Sequence, residues 1–359
     1  MPHKRRPRYS GKNPRRFTEK YKEHDPAKFP ETVQAILAAG KTPAGAHRPI
    51  MVQEILDVLR PMPGEFAVDC TLGYGGHALE LLHRLQPGGS LIGLDADPIE
   101  LPRTEKRFRD AGFAPDAFRA HRCNFAGLPK VLALEGGRRA DLILADLGLS
   151  SMQLDNPARG FSLKFDGPLD MRMNPNKGQS AAILIQRTNV TSLAELFSEN
   201  ADEFYAEQLA SALAGTHCQT TLQLGERIRR ALPHLSDTEK ELSVRRIFQA
   251  LRIAVNEEFV AIDTLLRALP ECLAEGGRVA ILTFHSGEDR RVKKAFKAGL
   301  LSGVYASAAE EVLRPSAEEM RANSRSKAAK LRWAVRSMGQ ALGGLHCAES
   351  LQTGAHNVF

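Results

Sequence analysis

Between residues 65 and 147 four short apolar runs alternate with three helical stretches, and this alternation constrains the fold more than any other feature of the chain. The runs are Glu65–Cys70, Ser90–Asp95, Ala117–Cys123 and Asp141–Leu147. Helices are expected at Gly76–Leu85, after Pro98 and around Leu128–Leu134, with one more ahead of the first run at Met51–Arg60. Near-continuous apolar runs of this length read as strands covered on both faces. Strands linked through helices pair in parallel, since the helical crossover returns the chain to the same end of the sheet. The reading is an α/β fold of Rossmann-like kind, with helices on both faces of a parallel sheet.

After the fourth strand the alternation stops. Residues 151–178 are rich in Gly, Pro, Asp, Asn and Ser and read as a long ordered loop. Helical patterns follow over 181–234, and one long helix is expected over 238–269. A strand returns at Arg278–Phe284, followed by a basic helix over 287–298. A helical domain inserted into the α/β core explains the interruption. The expected organisation is a basic arm (1–45), the first part of the core (46–150), an inserted loop and helical substrate-recognition domain (151–235), the second part of the core (236–340) and a tail (341–359).

The formal net charge is +7, and residues 1–24 alone hold nine Lys/Arg against two Glu, so the arm carries the whole excess. With Tyr9, Phe17 and Tyr21 interleaved, it suits a phosphate backbone, the alternative being a solubilising tail. Arg159, Arg172 and Lys177, and the acid-free stretch 321–336 with six basic residues and Trp333, read as further nucleic-acid surfaces. The five cysteines are scattered without a C-x-x-C pair, which suits neither a disulfide framework nor a zinc site, and no metal is expected. No apolar stretch approaches the roughly 18 residues of a membrane span. The basic N-terminus lacks the apolar run of a signal peptide, so the cytoplasm is the expected location.

Strand one runs into Asp69-Cys70-Thr71-Leu72-Gly73-Tyr74-Gly75-Gly76-His77. Glycines there let a ligand approach the backbone at the start of a helix. The spacing is G-x-G-G, not the G-x-G-x-x-G of a dinucleotide site, which disfavours an NAD dehydrogenase. Asp95 ends strand two, where a carboxylate accepts hydrogen bonds from ribose hydroxyls. Together they suit an adenosine ligand without a pyrophosphate. Phe125, just after strand three, lies either against an adenine face or in the core, and His77 is either a ligand contact or a helix-start residue. Strand four ends in Ala145-Asp146-Leu147-Gly148, which puts Asp146 at the ligand crevice of an open sheet. Methyl transfer from a sulfonium to an exocyclic amine needs acceptors facing the N–H groups, and Asp146 or a neighbouring carbonyl fills that role. No cysteine stands at the strand-four end, which argues against covalent attack on a pyrimidine ring. His285, in Phe284-His285-Ser286-Gly287-Glu288-Asp289-Arg290, is either a base or a structural histidine.

Taken together, these segments resemble the ribosomal RNA small subunit methyltransferase H family, also called MraW. The matching stretches are His47–Met51, the GYGGH loop (73–77), Ile92–Pro98, DLGLSSMQLD (146–155), RGFS (159–162), DGPLDMRM (166–173), RRIFQALRIAVN (245–256) and FHSGEDR (284–290). They span about residues 47–340 in the family's order. The resemblance implies a class I S-adenosylmethionine-dependent methyltransferase fold with a helical insertion. It implies N4-methylation of a cytidine in the decoding region of 16S rRNA, within the small ribosomal subunit. Carried over position by position, cofactor contacts fall on Gly75, Gly76, His77, Asp95, Phe125, Asp146 and Gln153, with Asp146 the catalytic candidate. The remaining readings are a methyltransferase acting on another RNA or DNA cytosine and a non-catalytic RNA-binding assembly factor; the intact Asp95 and Asp146 argue against the second. Gly287 stands where the family usually has Leu, and it is expected to loosen the loop carrying Glu288 and Asp289.

Overall fold

A computed structural model describes residues 49–149, 153–154 and 156–338. The basic arm and the tail after 338 lie outside the described residues. The α/β core opens with α1 (Val52–Leu59), β1 (Phe66–Asp69), α2 (Gly76–Leu85), β2 (Ser90–Asp95), α3 (Leu101–Asp110), β3 (Phe118–Arg122), α4 (Leu128–Leu134) and β4 (Ala140–Asp146). Five helices follow: α5 (Ala181–Arg187), α6 (Val190–Ala201), α7 (Ala206–Leu213), α8 (Thr221–Ala231) and α9 (Asp237–Asn256). The core resumes with α10 (Glu258–Cys272), β5 (Leu273–Thr283), α11 (Ser286–Leu301), β6 (Tyr305–Ala308), α12 (Ala317–Ala322) and β7 (Lys330–Arg336).

The seven strands form one sheet in the order β3-β2-β1-β4-β5-β7-β6. Strands β1 to β5 pair in parallel, and β7 runs antiparallel between β5 and β6. Side chains alternate between two apolar layers, as the two-residue period of a strand requires. Phe66, Val68, Ile143, Val279 and Ile281 enter the layer under α4, α10 and α11. Ala67, Leu142, Leu144, Ala280 and Leu282 enter the layer under α1, α2 and α3. The strand order reverses between β1 and β4, and the carboxyl ends there border the crevice where open sheets bind ligands.

A third apolar cluster holds the helical lobe together. It includes Ile185, Phe197, Leu209, Leu224 and Ile228, and also Val244, Ile247 and Leu251 of α9. The lobe's core therefore extends past residue 235, the limit expected from the sequence. The single helix expected over 238–269 is two helices, broken at Glu257 in the left-handed region (φ 51°). The break lets α9 pack in the lobe while α10 turns to cover the sheet. Asn256 secures the corner: its amide donates to the carbonyls of Arg252 and Met171 and accepts from the Met173 amide. The DGPLDMRM and RIAVN segments thus lock onto each other.

The acid-free stretch 321–336 is open basic surface only in its first half, where Arg321 and Lys327 are exposed. Its last seven residues are β7, inside the sheet. Arg332 is buried, and with Lys330 it binds Asp289 at 2.6 and 3.2 Å. Arg159 and Arg172, expected as nucleic-acid surfaces, are likewise paired internally. Arg159 is buried against Asp97 at 2.8 Å, and Arg172 grips Asp170 through two hydrogen bonds. Both guanidinium groups are neutralised internally, whereas Lys177 is exposed.

Candidate active site

The loop after β1 is held by the residues that end β2 and β4. Thr71 donates its amide to Asp69 Oδ1 at 3.0 Å, and its hydroxyl accepts the Asp146 amide at 2.6 Å. Asp95 Oδ2 accepts the Gly73 amide at 2.7 Å and Oδ1 accepts the Asp97 amide at 2.8 Å. A carboxylate has about four acceptor positions, so two remain for a ligand. Gly75 carries a positive φ of 78°, and a Cβ there would stand 2.5 Å from the Phe108 ring. Its lack of a side chain serves the packing of the loop against α3. Burial pushes the Asp95 carboxyl up to about 6, against the two amide hydrogen bonds.

These elements enclose a cavity of about 450 Å³, lined by Gly76, His77, Asp95, Phe125, Asp146 and Gln153 among others. Six of the seven positions expected from the sequence therefore meet around one space; Gly75 does not line it. Phe125 is half-buried in a short turn after β3. Gln153 donates to Asp97 Oδ2 at 2.9 Å, alongside Arg159. Burial would raise Asp97, but those two hydrogen bonds outweigh it and hold the carboxyl below its usual value.

His77 is buried, with Nε2 2.9 Å from the Ile50 carbonyl. A carbonyl only accepts, so Nε2 carries the proton and Nδ1 of the neutral ring is an acceptor. Nδ1 lies 3.6 Å from Asp146 Oδ2. Burial lowers the imidazole below its ordinary value, against the pull of the Ile50 carbonyl and of Asp69. The Asp146 carboxyl is pushed up to about 7 by burial first and by the negative charge of Glu288 second. At neutral pH Asp146 stands between acceptor and donor.

The far wall carries residues that the sequence reading did not assign: Arg252, Asn256, Glu258 and Glu288. Arg252 holds Glu258 through two hydrogen bonds of 2.8 and 2.9 Å across the α9–α10 break. Glu288 turns back at the start of α11 to accept the Phe284 amide at 2.8 Å. The signal was present in the sequence as an acid three residues after His285, the spacing of a capping box. Burial would raise Glu288, but contact with His285 and the charge of Arg252 outweigh it and lower the carboxyl. Its buried Oε1 lies 3.1 Å from His285 Nε2. Ligand atoms of Glu258, His285 and Glu288 lie within 4.8 Å of one another. Both Glu258 oxygens face the Arg252 guanidinium, so this group closes as an internal ion-pair network. Gly287 does not loosen the loop: it is buried in the first turn of α11, where a Cβ would stand 2.6 Å from Phe259.

The cavity fits S-adenosylmethionine. Its volume lies within the usual range for ligand pockets. Asp95 has free acceptor positions for ribose hydroxyls, Phe125 offers a ring, and Asp146, Glu258 and Glu288 line the same space, where a sulfonium needs negative charge. Fold and site define a class I S-adenosylmethionine-dependent methyltransferase.

The MraW methylase family matches residues 44–337, and the chain belongs to it. It is 45% identical over 344 residues (93% of each chain) to ribosomal RNA small subunit methyltransferase H 1 of Lachnoclostridium phytofermentans. It is 46% identical over 344 residues, covering 93% of this chain and 98% of the relative, to the protein of the same name from Agathobacter rectalis. It is 47% identical over 342 residues to ribosomal RNA small subunit methyltransferase H 2 of Alkaliphilus metalliredigens, covering 93% and 97%.

Proposed function

We propose that this chain methylates the N4 amine of a cytidine in the decoding region of 16S rRNA, within an assembled or nearly assembled small subunit in the cytoplasm. The relatives' names support small-subunit rRNA as the substrate. The observation that carries the choice of an amine is Asp146: a half-buried carboxyl, pushed up to about 7, at the strand end beside the cofactor cavity.

S-adenosylmethionine supplies an electrophilic methyl group on a sulfonium. Gly76, His77, Asp95, Phe125 and Gln153 bind and orient it. An exocyclic amine is a weak nucleophile while its lone pair is delocalised into the ring. As a carboxylate, Asp146 accepts one N–H, favours the pyramidal amine, and stabilises the positive charge that develops on nitrogen. The proton that the amine sheds passes to Asp146, whose raised pKa suits it to receive a proton at neutral pH. His77 Nδ1 then faces a protonated Asp146 and holds it in place. Two cysteines, Cys70 and Cys123, also line the cavity. Burial raises both thiols, so neither is poised as the thiolate that ring attack on a pyrimidine needs.

The test is methylation with labelled cofactor on cytidine, a short hairpin, naked small-subunit rRNA and intact small subunits. The expected order of specificity constants rises toward the subunit, since separated binding surfaces need a rigid target to act together. Equal constants for hairpin and subunit would overturn the substrate assignment.

A further inference from the structure

Helix α11 starts at the cavity and runs away from it. Phe284 and Glu288, on either side of its first residue, both line the cavity. Its two acids are turned inward: Glu288 is buried, and Asp289 is engaged by Lys330 and Arg332. Its exposed face carries Arg290, Lys293, Lys294 and Lys297, at the i, i+3, i+4, i+7 spacing that places side chains in one row. Arg290 meets Asp202 at 3.2 Å, while Lys293, Lys294 and Lys297 have no ion-pair partner among the described residues. At about 1.5 Å per residue, the 16-residue helix extends roughly 24 Å from the cavity rim.

A second feature meets this row at its cavity end. Asp202 binds Ser286 and Arg290, which fastens the end of α6 to the first turns of α11. Two residues further on, Phe204 is 88% exposed. It sits on a stiff corner. Asp202 is left-handed (φ 50°), and buried Glu203 accepts both the Tyr205 amide and the Ser243 hydroxyl at 3.0 Å. With Glu203 anchored inward, its neighbour Phe204 stands in solvent. Two residues span at most roughly 7 Å, so the backbone of Phe204 lies within that reach of Asp202, which holds the start of the basic row, and its ring stands edge-on to Tyr205 at 6.1 Å.

We propose that the α11 row and Phe204 form a track for the RNA strand that leaves the target nucleotide: the row meets successive phosphates and Phe204 stacks on an unpaired base next to the target. A row of cations beside an exposed aromatic ring is the arrangement that binds single strands without reading their sequence. A merely solvated helix face would not need its acids folded inward, nor an aromatic ring held at its end. The inference rests on the reading of RNA as the substrate.

The experiment measures kinetics of the full-length protein on small subunits and on a naked rRNA fragment, over a range of salt, for the parent, a K293Q/K294Q/K297Q variant and Phe204→Ala. Cofactor affinity and thermal stability serve as folding controls. The lysine variant is expected to raise KM for both substrates at least tenfold with kcat unchanged. It should also flatten the log–log salt slope by about 2, since each phosphate contact contributes about 0.7 on single strands. Phe204→Ala is expected to raise KM about tenfold with the parent's salt slope. Parent-like KM and slope in the lysine variant would overturn the track. So would a KM rise seen with subunits and not with naked rRNA, which would assign the row to a ribosomal protein. If the parent methylated no RNA, the functional reading itself would fail, a result distinct from either.

Discussion

Replacing Arg159 by Met removes the guanidinium and keeps much of the apolar stem. Arg159 and Asp97 have side chains only 9% and 1% exposed. Three contacts vanish: the 2.8 Å bond to Asp97 Oδ2 and the bonds to the carbonyls of Arg172 and Met173. Asp97 keeps Gln153 and the Ile99 amide but loses its only counter-charge at hydrogen-bonding distance among the described residues. Breaking a buried ion pair by removing one partner costs about 3–5 kcal/mol. For a chain of this size that is a fall in melting temperature on the order of 10 °C. The loss should depend on pH in a defined direction. Asp97 is held below its ordinary value, so its contribution is complete above about pH 4, the range of an unfolded aspartate, and fades as pH falls through the lowered value. Urea denaturation at pH 7 and at progressively lower pH reads both effects. A change within about 0.5 kcal/mol at pH 7, the range of ordinary surface substitutions, would refute the reasoning. A deficit that did not shrink toward acid would place the cost in packing and not in the ion pair.

Asp95→Ala should lower S-adenosylmethionine affinity at least tenfold by titration calorimetry, since each hydrogen bond to a charged acceptor contributes about 1.5–3 kcal/mol; unchanged affinity would mean that the ribose is held elsewhere. Asp146→Asn should slow single-turnover methylation by roughly 10²–10³, with a smaller loss in cofactor affinity. In the parent, kcat/KM should rise with pH through about 7 as Asp146 becomes an acceptor, and the rise should be absent in Asp146→Asn. Deleting residues 1–24, with nine Lys/Arg, should weaken RNA binding and flatten its salt dependence; an unchanged slope would leave the arm without phosphate contacts.

The α/β core was legible because its strands are buried on both faces, and such strands appear in sequence as apolar runs. The break at Glu257 was not, because no Gly or Pro marks it: a glutamate takes the left-handed conformation, and Asn256 secures the corner through residues more than 80 positions away. β7 reads Lys-Leu-Arg-Trp-Ala-Val-Arg, in which three basic residues and Trp333 break up the apolar run that marks β2 and β4. Arg332 meets Asp289, and Arg159 meets Asp97, 62 residues distant, so a charge that looks free in sequence is balanced in space. The cofactor side of the cavity was legible through the Gly loop and the two strand-end acids. The far wall was not, since Arg252, Glu258 and Glu288 come together only when α9, α10 and α11 converge.

The proposed function stands or falls on the identity of the methylated atom. Mass mapping of small-subunit rRNA from cells lacking this protein, and from the same cells given the parent or Asp146→Asn, tests it most directly. N4-methylation of one decoding-region cytidine is expected to be missing without the protein, restored by the parent and not restored by Asp146→Asn. Unchanged N4-methylation in the deletion, or loss of a methyl group from a different atom or a distant nucleotide, would contradict it.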